Sequence, residues 1–105
     1  MIYPLRDLDK AVIERVDGKD IDGNPKVVET IDTNCTIQDV SKAKFDRNGK
    51  AVNVSAIVFK KGNLFPSIPI PQGHITIRGN KCDIFSFKRI RDLQGRVHHI
   101  EIEVL

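Results

Sequence analysis

Apolar and polar residues alternate with a period of two over much of this chain. Residues 74–78 and 97–105 each place an apolar side chain at every second position. This period is typical of a β-strand that has one buried face and one solvated face. Within residues 97–105, His98 shares the apolar positions with Ile100, so we expect a partly buried, hydrogen-bonded His98. His99 falls on the opposite face among glutamates, which predicts polar cross-strand pairing.

β-Branched runs separated by glycine and proline complete this strand pattern. The pairs Asp22-Gly23, Asn48-Gly49 and Gly79-Asn80 favour tight turns between strands. The chain therefore predicts an all-β, mainly antiparallel fold of roughly seven strands, a small β-barrel or sandwich with long loops and no more than a short helical turn. The predicted strands cover residues 11–17, 26–32, 35–40, 51–59, 74–78, 81–87 and 97–105.

Two segments before residue 51 interrupt the strand pattern. Residues 1–10 contain Pro4 and closely spaced charges, so we expect a short N-terminal arm there. Residues 41–50 are polar and basic and contain an Asn-Gly pair, which predicts a mobile surface loop. The positive charges of this loop are Lys42, Lys44, Arg47 and Lys50.

A proline-rich connection occupies residues 60–73. Proline lacks an N–H group and cannot serve inside a sheet, so residues 68–71 predict an extended, polyproline-like segment. The apolar side chains of the connection need a surface to cover them, which is either the barrel itself or a neighbouring subunit. We expect Phe65, Ile68 and Ile70 to make oligomer or partner contacts, together with the arm at residues 1–10.

Composition narrows the class of protein. A chain of 105 residues is one domain, residues 1–105. The net charge of +3 makes the chain mildly basic, without the dense positive footprint of a dedicated nucleic-acid binder. Cys35 and Cys82 are isolated, so we expect two reduced thiols. No apolar run predicts a signal peptide or a membrane span, and we expect a protein that is made in the cytoplasm and has no membrane partner.

No residue pattern in the sequence points to catalysis. The serines lack the turn and the partner residues of a catalytic nucleophile. No glycine-rich, phosphate-binding loop is present. We therefore expect no enzyme and no cofactor.

Two places could suggest a metal ion. His98 and His99 are adjacent in a predicted strand, so their side chains should point to opposite faces and not share a metal. Asp20 and Asp22 have the spacing of the first two ligands of a calcium-binding loop, but Pro25 stands at the position where such a loop needs glycine. We therefore expect no metal.

Phe85 and Phe87 raise the alternative of a small nucleic-acid-binding barrel. The two residues alternate along a predicted strand, so they should share a face, and Lys88 and Arg89 follow them. Aromatic side chains next to cations can stack on bases. The interpretation that we favour is that both rings fill a core with few other large side chains.

Five short motifs follow one another in a fixed order. They are Gly23-Asn24-Pro25, the strand at residues 54–59, Pro66, Gly79-Asn80-Lys81 and the run from His98 to Ile102. In the order and spacing of these motifs, the chain resembles the minor capsid proteins of tailed bacteriophages, the head–tail connector or head-completion family with its stopper-type members. The resemblance covers about residues 23–105. Cys82 stands where members of the family often carry an aromatic residue.

The resemblance implies a structural virion protein. Subunits of this family form a homo-oligomeric ring below the portal, which extends the DNA channel, helps to retain packaged DNA and provides the tail attachment platform. The implied partners are the portal or an adaptor protein on the head side and a tail-terminator or tail protein on the other. Genomic double-stranded DNA would lie close to the ring without specific binding.

The resemblance also implies a location and a channel-lining segment. The expected location is the head–tail interface of the virion, and the host cytoplasm during assembly. A loop between strands can project into the lumen of such a ring, so we expect Lys42, Lys44, Arg47 and Lys50 to face the DNA channel. An adaptor ring and a tail-terminator ring stay open as alternatives.

Overall fold

The part of the chain that the computed structural model describes, residues 9–105, folds into six antiparallel β-strands. The all-β prediction is confirmed. The predicted arm at residues 1–10 lies mostly outside the described residues, and its last two residues, Asp9 and Lys10, already belong to β1. The strands are β1 (Asp9–Lys19), β2 (Pro25–Phe45), β3 (Ala51–Lys61), β4 (Gly73–Ile77), β5 (Asn80–Arg91) and β6 (Val97–Val104).

The strands close into a barrel in the order β1-β2-β3-β6-β5-β4, with β4 paired back onto β1. Two strands change neighbours along their length. β2 pairs with β1 as far as Cys35 and with β3 from Thr36 onward. β5 pairs with β4 as far as Asp83 and with β6 from Ile84 onward. These changes of partner turn the two halves of the sheet toward each other and so close the barrel.

β2 corrects two predictions at once. Residues 26–32 and 35–40, predicted as separate strands, form one strand, because Thr33 and Asn34 continue the pairing with β1. Residues 41–45, predicted as part of a mobile loop, continue the same strand past a bulge between Asp39 and Lys42. Most side chains in this stretch face water, so the sequence has no apolar alternation that would mark it as a strand.

The core consists of side chains that point into the barrel at alternate strand positions. The predicted apolar face of residues 51–59 is confirmed, with Val54, Ala56 and Val58 buried. With no tryptophan in the chain, branched aliphatic side chains fill most of the interior. The largest fully buried side chains are Ile13, Ile75, Ile100, Ile102, Val54, Val58 and Val104.

The hairpin between β4 and β5 has a two-residue turn. Its central residues are Arg78 and Gly79, because Ile77 pairs with Asn80. Both have positive φ angles, 50° and 81°, which match the mirror-image turn that fits the twist of paired strands. The predicted hairpin is confirmed, with its turn one residue earlier than the Gly79-Asn80 pair.

Gly73 opens β4 and lies against β1. A Cβ atom on Gly73 would lie 1.9 Å from the backbone oxygen of Glu14. Any other residue would therefore separate β4 from β1 at this point, where the barrel closes.

Candidate functional site

Three hairpins of the barrel share one turn sequence, Asp-x-x-Gly-x. In the β2–β3 turn, the Asp46 N–H donates to the Lys50 carbonyl (2.9 Å), and the Gly49 N–H donates to the Asp46 carbonyl (3.0 Å). The Asp46 Oδ1 atom accepts from the N–H groups of Asn48 and Lys50, both at 2.9 Å. The same pattern recurs at Asp20 in the β1–β2 turn and at Asp92 in the β5–β6 turn.

The residue after each aspartate stands at the tip of its turn. These residues are Ile21, Arg47 and Leu93, and the two aliphatic side chains are fully exposed. The sequence interpretation missed this arrangement, although the threefold repeat of Asp-x-x-Gly was a signal for it. In the β1–β2 turn, Asp20 uses Oδ1 to accept backbone N–H groups, which accounts for this aspartate without calcium.

The four basic residues predicted to line a channel are not equivalent. Lys42, Arg47 and Lys50 are exposed on the hairpin formed by residues 42–54, which we call the basic hairpin. Lys44 instead donates from Nζ to both carboxylate oxygens of Glu103 on β6, at 2.9 and 2.7 Å. Three of the four positive charges are therefore exposed to solvent, and the fourth fixes the hairpin to the barrel.

Glu103 is the buried acceptor that holds the basic hairpin. Its side chain is 7% exposed and also accepts from the Ser86 hydroxyl at 2.7 Å, while the Lys88 Nζ lies at 4.0 Å. Burial by itself raises the pKa of Glu103. The hydrogen bonds from Lys44 and Ser86 and the charges of Lys44 and Lys88 outweigh burial, so the pKa lies below its ordinary value of 4.5. The carboxylate is therefore ionised at neutral pH.

One arginine organises the proline-rich connection. Arg89 of β5 donates from its guanidinium to the Asn63 side chain at 2.9 Å and to four backbone carbonyls. Such a set of directed donors suits a planar guanidinium and not an ammonium group. The carbonyls belong to Leu64 (3.1 Å), Phe65 (2.8 Å), Ile68 (2.7 Å) and Pro69 (2.8 Å).

The three predicted contact residues of this connection have different environments. Phe65 is 5% exposed and packs in the barrel core, so its ring is not available to a partner, contrary to the prediction. Ile68 is partly buried against the same core. Ile70 is 66% exposed. The barrel itself therefore covers Phe65 and part of Ile68, and Ile70 is the predicted contact residue that faces outward.

A cleft of about 380 Å³ brings together residues from two separate predictions. Arg47, at the tip of the basic hairpin, and Ile70, from the proline-rich connection, both line it. Phe85 and His74 also contribute to its wall, and His74 Nδ1 lies 2.8 Å from an Asp83 oxygen. The cleft therefore combines an exposed cation with exposed apolar side chains.

Phe85 and Phe87, predicted to share a face, both line this cleft. A bulge lies between Ile84 and Ser86, and it shifts Phe85 out of the strand alternation. Phe87 packs against the core, and the Arg89 guanidinium lies 4.9 Å from the centre of its ring. Phe85 and Phe87 both line the cleft, so the two rings lie on the wall of one site and Phe87 alone of the two also packs against the core.

A second bulge changes the predicted environment of the histidines. It lies between Ile90 and Arg91, opposite His98, and His98 is exposed while Val97 packs against the core. The Nδ1 atoms of His98 and His99 lie 2.9 Å apart, so the expectation that the two rings point apart is wrong. His99 Nε2 also lies 3.4 Å from a Glu101 oxygen, which is a contact within β6 and not the predicted cross-strand pair. Within residues 9–105, no group of three or more His, Cys, Asp or Glu side chains could hold a metal ion.

Comparison with protein-family models finds no match, and comparison with curated proteins finds none either. Among the described residues, no helix is long and apolar enough to cross a membrane.

Proposed function

We propose that this chain is a structural subunit of a tailed bacteriophage particle, which assembles as a ring at the junction of head and tail. The observation that carries the proposal is a basic hairpin that presents Lys42, Arg47 and Lys50 to solvent while Lys44 fixes it to Glu103. The order of motifs that resembles the head-completion family supports the same role. In this role the protein catalyses no reaction and requires no cofactor or metal.

The basic hairpin would act at close range on DNA in the lumen of the ring. Exposed charges are screened beyond about 8 Å at physiological salt, so these three cations attract DNA only when it passes nearby. Contacts to phosphates carry no sequence information and let DNA slide. A hairpin anchored through Lys44 keeps a defined position in the ring, which suits a channel wall that retains the genome and later releases it.

The two faces of the proposed ring would meet different partners. The head side would contact the portal or an adaptor protein, and the other side a tail-terminator or tail protein. Ile70 is a candidate for these contacts or for subunit contacts, because it is 66% exposed beside the cleft. The proposed location is accordingly the virion, at the head–tail interface.

The test is electron microscopy of the purified protein, alone and mixed with DNA-filled, tailless heads. We expect closed rings, and rings bound below the portal. A triple variant, Lys42→Ser, Arg47→Ser and Lys50→Ser, should form the same rings and change genome retention or release. A monomer that never binds heads would contradict the proposal, and normal retention by the triple variant would contradict the role of the hairpin.

A second candidate is a small nucleic-acid-binding barrel. The specific observation in its favour is that Arg47 and Phe85 line one cleft, which could hold a stacked base beside a phosphate. Titration of a single-stranded oligonucleotide at two salt concentrations tests it. Micromolar, salt-dependent binding that Phe85→Ala weakens would favour this candidate, and absence of binding would eliminate it.

A further inference from the structure

The outer edge of β2 over residues 25–34 carries no strand from any other part of residues 9–105. On one side, β1 pairs with β2 from Pro25 to Cys35. On the other side, β3 begins to pair only at Thr36. A row of backbone N–H and C=O groups is therefore open along this edge, in a geometry that can accept another strand.

The hairpin that carries this edge is exposed on all sides. Every residue from 17 to 30 is exposed, including Val27 and Val28, which stand at 40% and 39% exposure. Val28 is the extra residue of a bulge opposite Arg15 and Val16, so the two valines interrupt the regular alternation and leave apolar surface exposed on the hairpin. A two-stranded ribbon that is wet on both faces is at best marginally stable by itself.

Protective features are sparse along the open edge. Natural edge strands are usually short, bulged or interrupted by proline. Here one bulge lies on β2 itself, where Val28 is an extra residue between the partners of Arg15 and Val16; the other bulge lies on β1 between Val16 and Lys19, and Pro25 stands at the very start of β2. Residues 26–34 contain no proline or glycine and are rich in β-branched side chains, which favour an extended strand.

We propose that this edge of β2 pairs with the free edge of β3 in a second copy of the chain, an inference that rests on the proposed ring. β6 ends at Val104, opposite Ala56, so residues 51–55 of β3 have an open edge within the described part of the chain. Two different edges make a head-to-tail contact, which can repeat around a ring. The same edge on both copies would instead close a two-fold dimer.

The charges of the two hairpins fit this pairing. Residues 17–28 contain three aspartates and two lysines, for a net charge of −1. Residues 42–54 contain three lysines, one arginine and one aspartate, for a net charge of +3. The β1–β2 hairpin of one copy and the basic hairpin of the next therefore attract each other, which favours this contact over the association of two like edges.

Single prolines at adjacent positions test the pairing. Successive residues of β2 direct their N–H groups to opposite edges of the strand. One of the two variants, Glu29→Pro or Thr30→Pro, therefore removes a hydrogen bond to β1. The other, the outward variant, removes only an N–H group on the open edge. Thermal unfolding identifies the outward variant as the more stable of the two. We expect the parent protein to form the ring in native mass spectrometry and the outward variant to be a folded monomer.

The outcomes separate this inference from the proposed function. Rings that persist in the outward variant overturn the pairing and leave the proposed ring intact, whereas a parent protein that stays monomeric overturns both. A parent protein that forms only dimers contradicts the pairing of two different edges.

If both proline variants fail to fold, disulfide cross-linking decides between the same alternatives. The variants Val28→Cys, Thr30→Cys and Asp32→Cys are each mixed with the variant Asn53→Cys, all in a Cys82→Ser background. Cross-linked pairs are expected for at least one of these positions, and their complete absence overturns the pairing.

Discussion

The β1–β2 hairpin and the basic hairpin have the same hydrogen bonds in their turns, but only the basic hairpin is attached to the barrel by a side-chain contact. Both turns are closed by an aspartate whose Oδ1 accepts two backbone N–H groups and by a glycine with positive φ. In the β1–β2 hairpin, residues 17–30 are all exposed. In the basic hairpin, Val54 is fully buried and Lys44 is bound to Glu103.

The difference shows that a turn sequence determines a hairpin but not where the hairpin packs. Local hydrogen bonds close both turns equally well. One buried carboxylate on β6, 59 residues away from Lys44 along the chain, fixes the basic hairpin. The β1–β2 hairpin has its open edge instead, which we assign to a neighbouring subunit.

The largest expected effect concerns the base of the β1–β2 hairpin. Gly73 pairs with Arg15 at the point where β1 leaves β4. Gly73→Ala places Cβ against the Glu14 carbonyl and should cost about 3 kcal/mol or more in the free energy of unfolding. Denaturant titration measures the loss.

Gly18→Ala is the matched control for this substitution. Gly18 also has a positive φ, 75°, but a Cβ there would meet no atom within 4 Å. Gly18→Ala should lower the free energy of unfolding by only about 1 kcal/mol, because the strain of the left-handed conformation is its only cost. Equal losses for the two variants would mean that β4 and β1 are not in close contact.

The next effect concerns the anchor of the basic hairpin. Lys44→Met removes the two hydrogen bonds to buried Glu103 and should cost about 1–3 kcal/mol. Hydrogen exchange at residues 42–54 should accelerate in the variant. Lys42→Met, at an exposed position of the same hairpin, should change stability by less than about 0.5 kcal/mol. A loss of the same size in both variants would contradict the anchoring role of Lys44.

The anchor also predicts a pH dependence. The pKa of Glu103 is lower in the folded protein than its ordinary value of 4.5. Below that value the unfolded chain binds the proton first, so the stabilisation by Glu103 is present above pH 4.5 and is lost as the pH falls through the folded pKa. Glu103→Gln should therefore unfold with a smaller loss of stability between pH 5 and pH 3 than the parent. If the free energy of unfolding depends on pH in the same way in both proteins, the titration of Glu103 is not the origin of the pH dependence.

The smallest expected effect concerns the exposed turn tips. Ile21→Ser should change the free energy of unfolding by less than about 0.5 kcal/mol, because the side chain is fully exposed. Leu93→Ser provides the comparison at the equivalent position of the β5–β6 turn. A cooperative loss of stability in either variant, seen by thermal unfolding, would mean that the tip packs against another part of the protein.

The sequence could predict those strands in which apolar and polar residues alternate because one face is buried. The all-β class, the apolar face of residues 51–59 and the hairpins at Asp22-Gly23 and Asn48-Gly49 follow from local patterns that the fold keeps. Residues 41–45 were not predicted as a strand. Most of their side chains face water, so the segment shows no alternation of apolar and polar residues although it pairs with β3.

The errors at the candidate site come from long-range features. The bulge at His98 shifts the alternation of β6 by one residue and exposes the imidazole, and a bulge is a property of two paired strands. Phe65 was expected to contact a partner, but Arg89, 24 residues further along, folds the connection onto the barrel and buries the ring. Neither effect can be read from the spacing of nearby residues.

Hydrogen exchange of the assembled protein against the dissociated protein tests the central claim most directly. We expect the outward amides of residues 26–34 to become protected on assembly, along with those of residues 51–55. The turn at residues 46–50 should exchange at the same rate in both states, because in the proposed ring it faces the channel and not a neighbouring subunit. Unchanged exchange at residues 26–34, or protection confined to residues 46–50, would contradict the assignment of the open β2 edge to a neighbouring subunit.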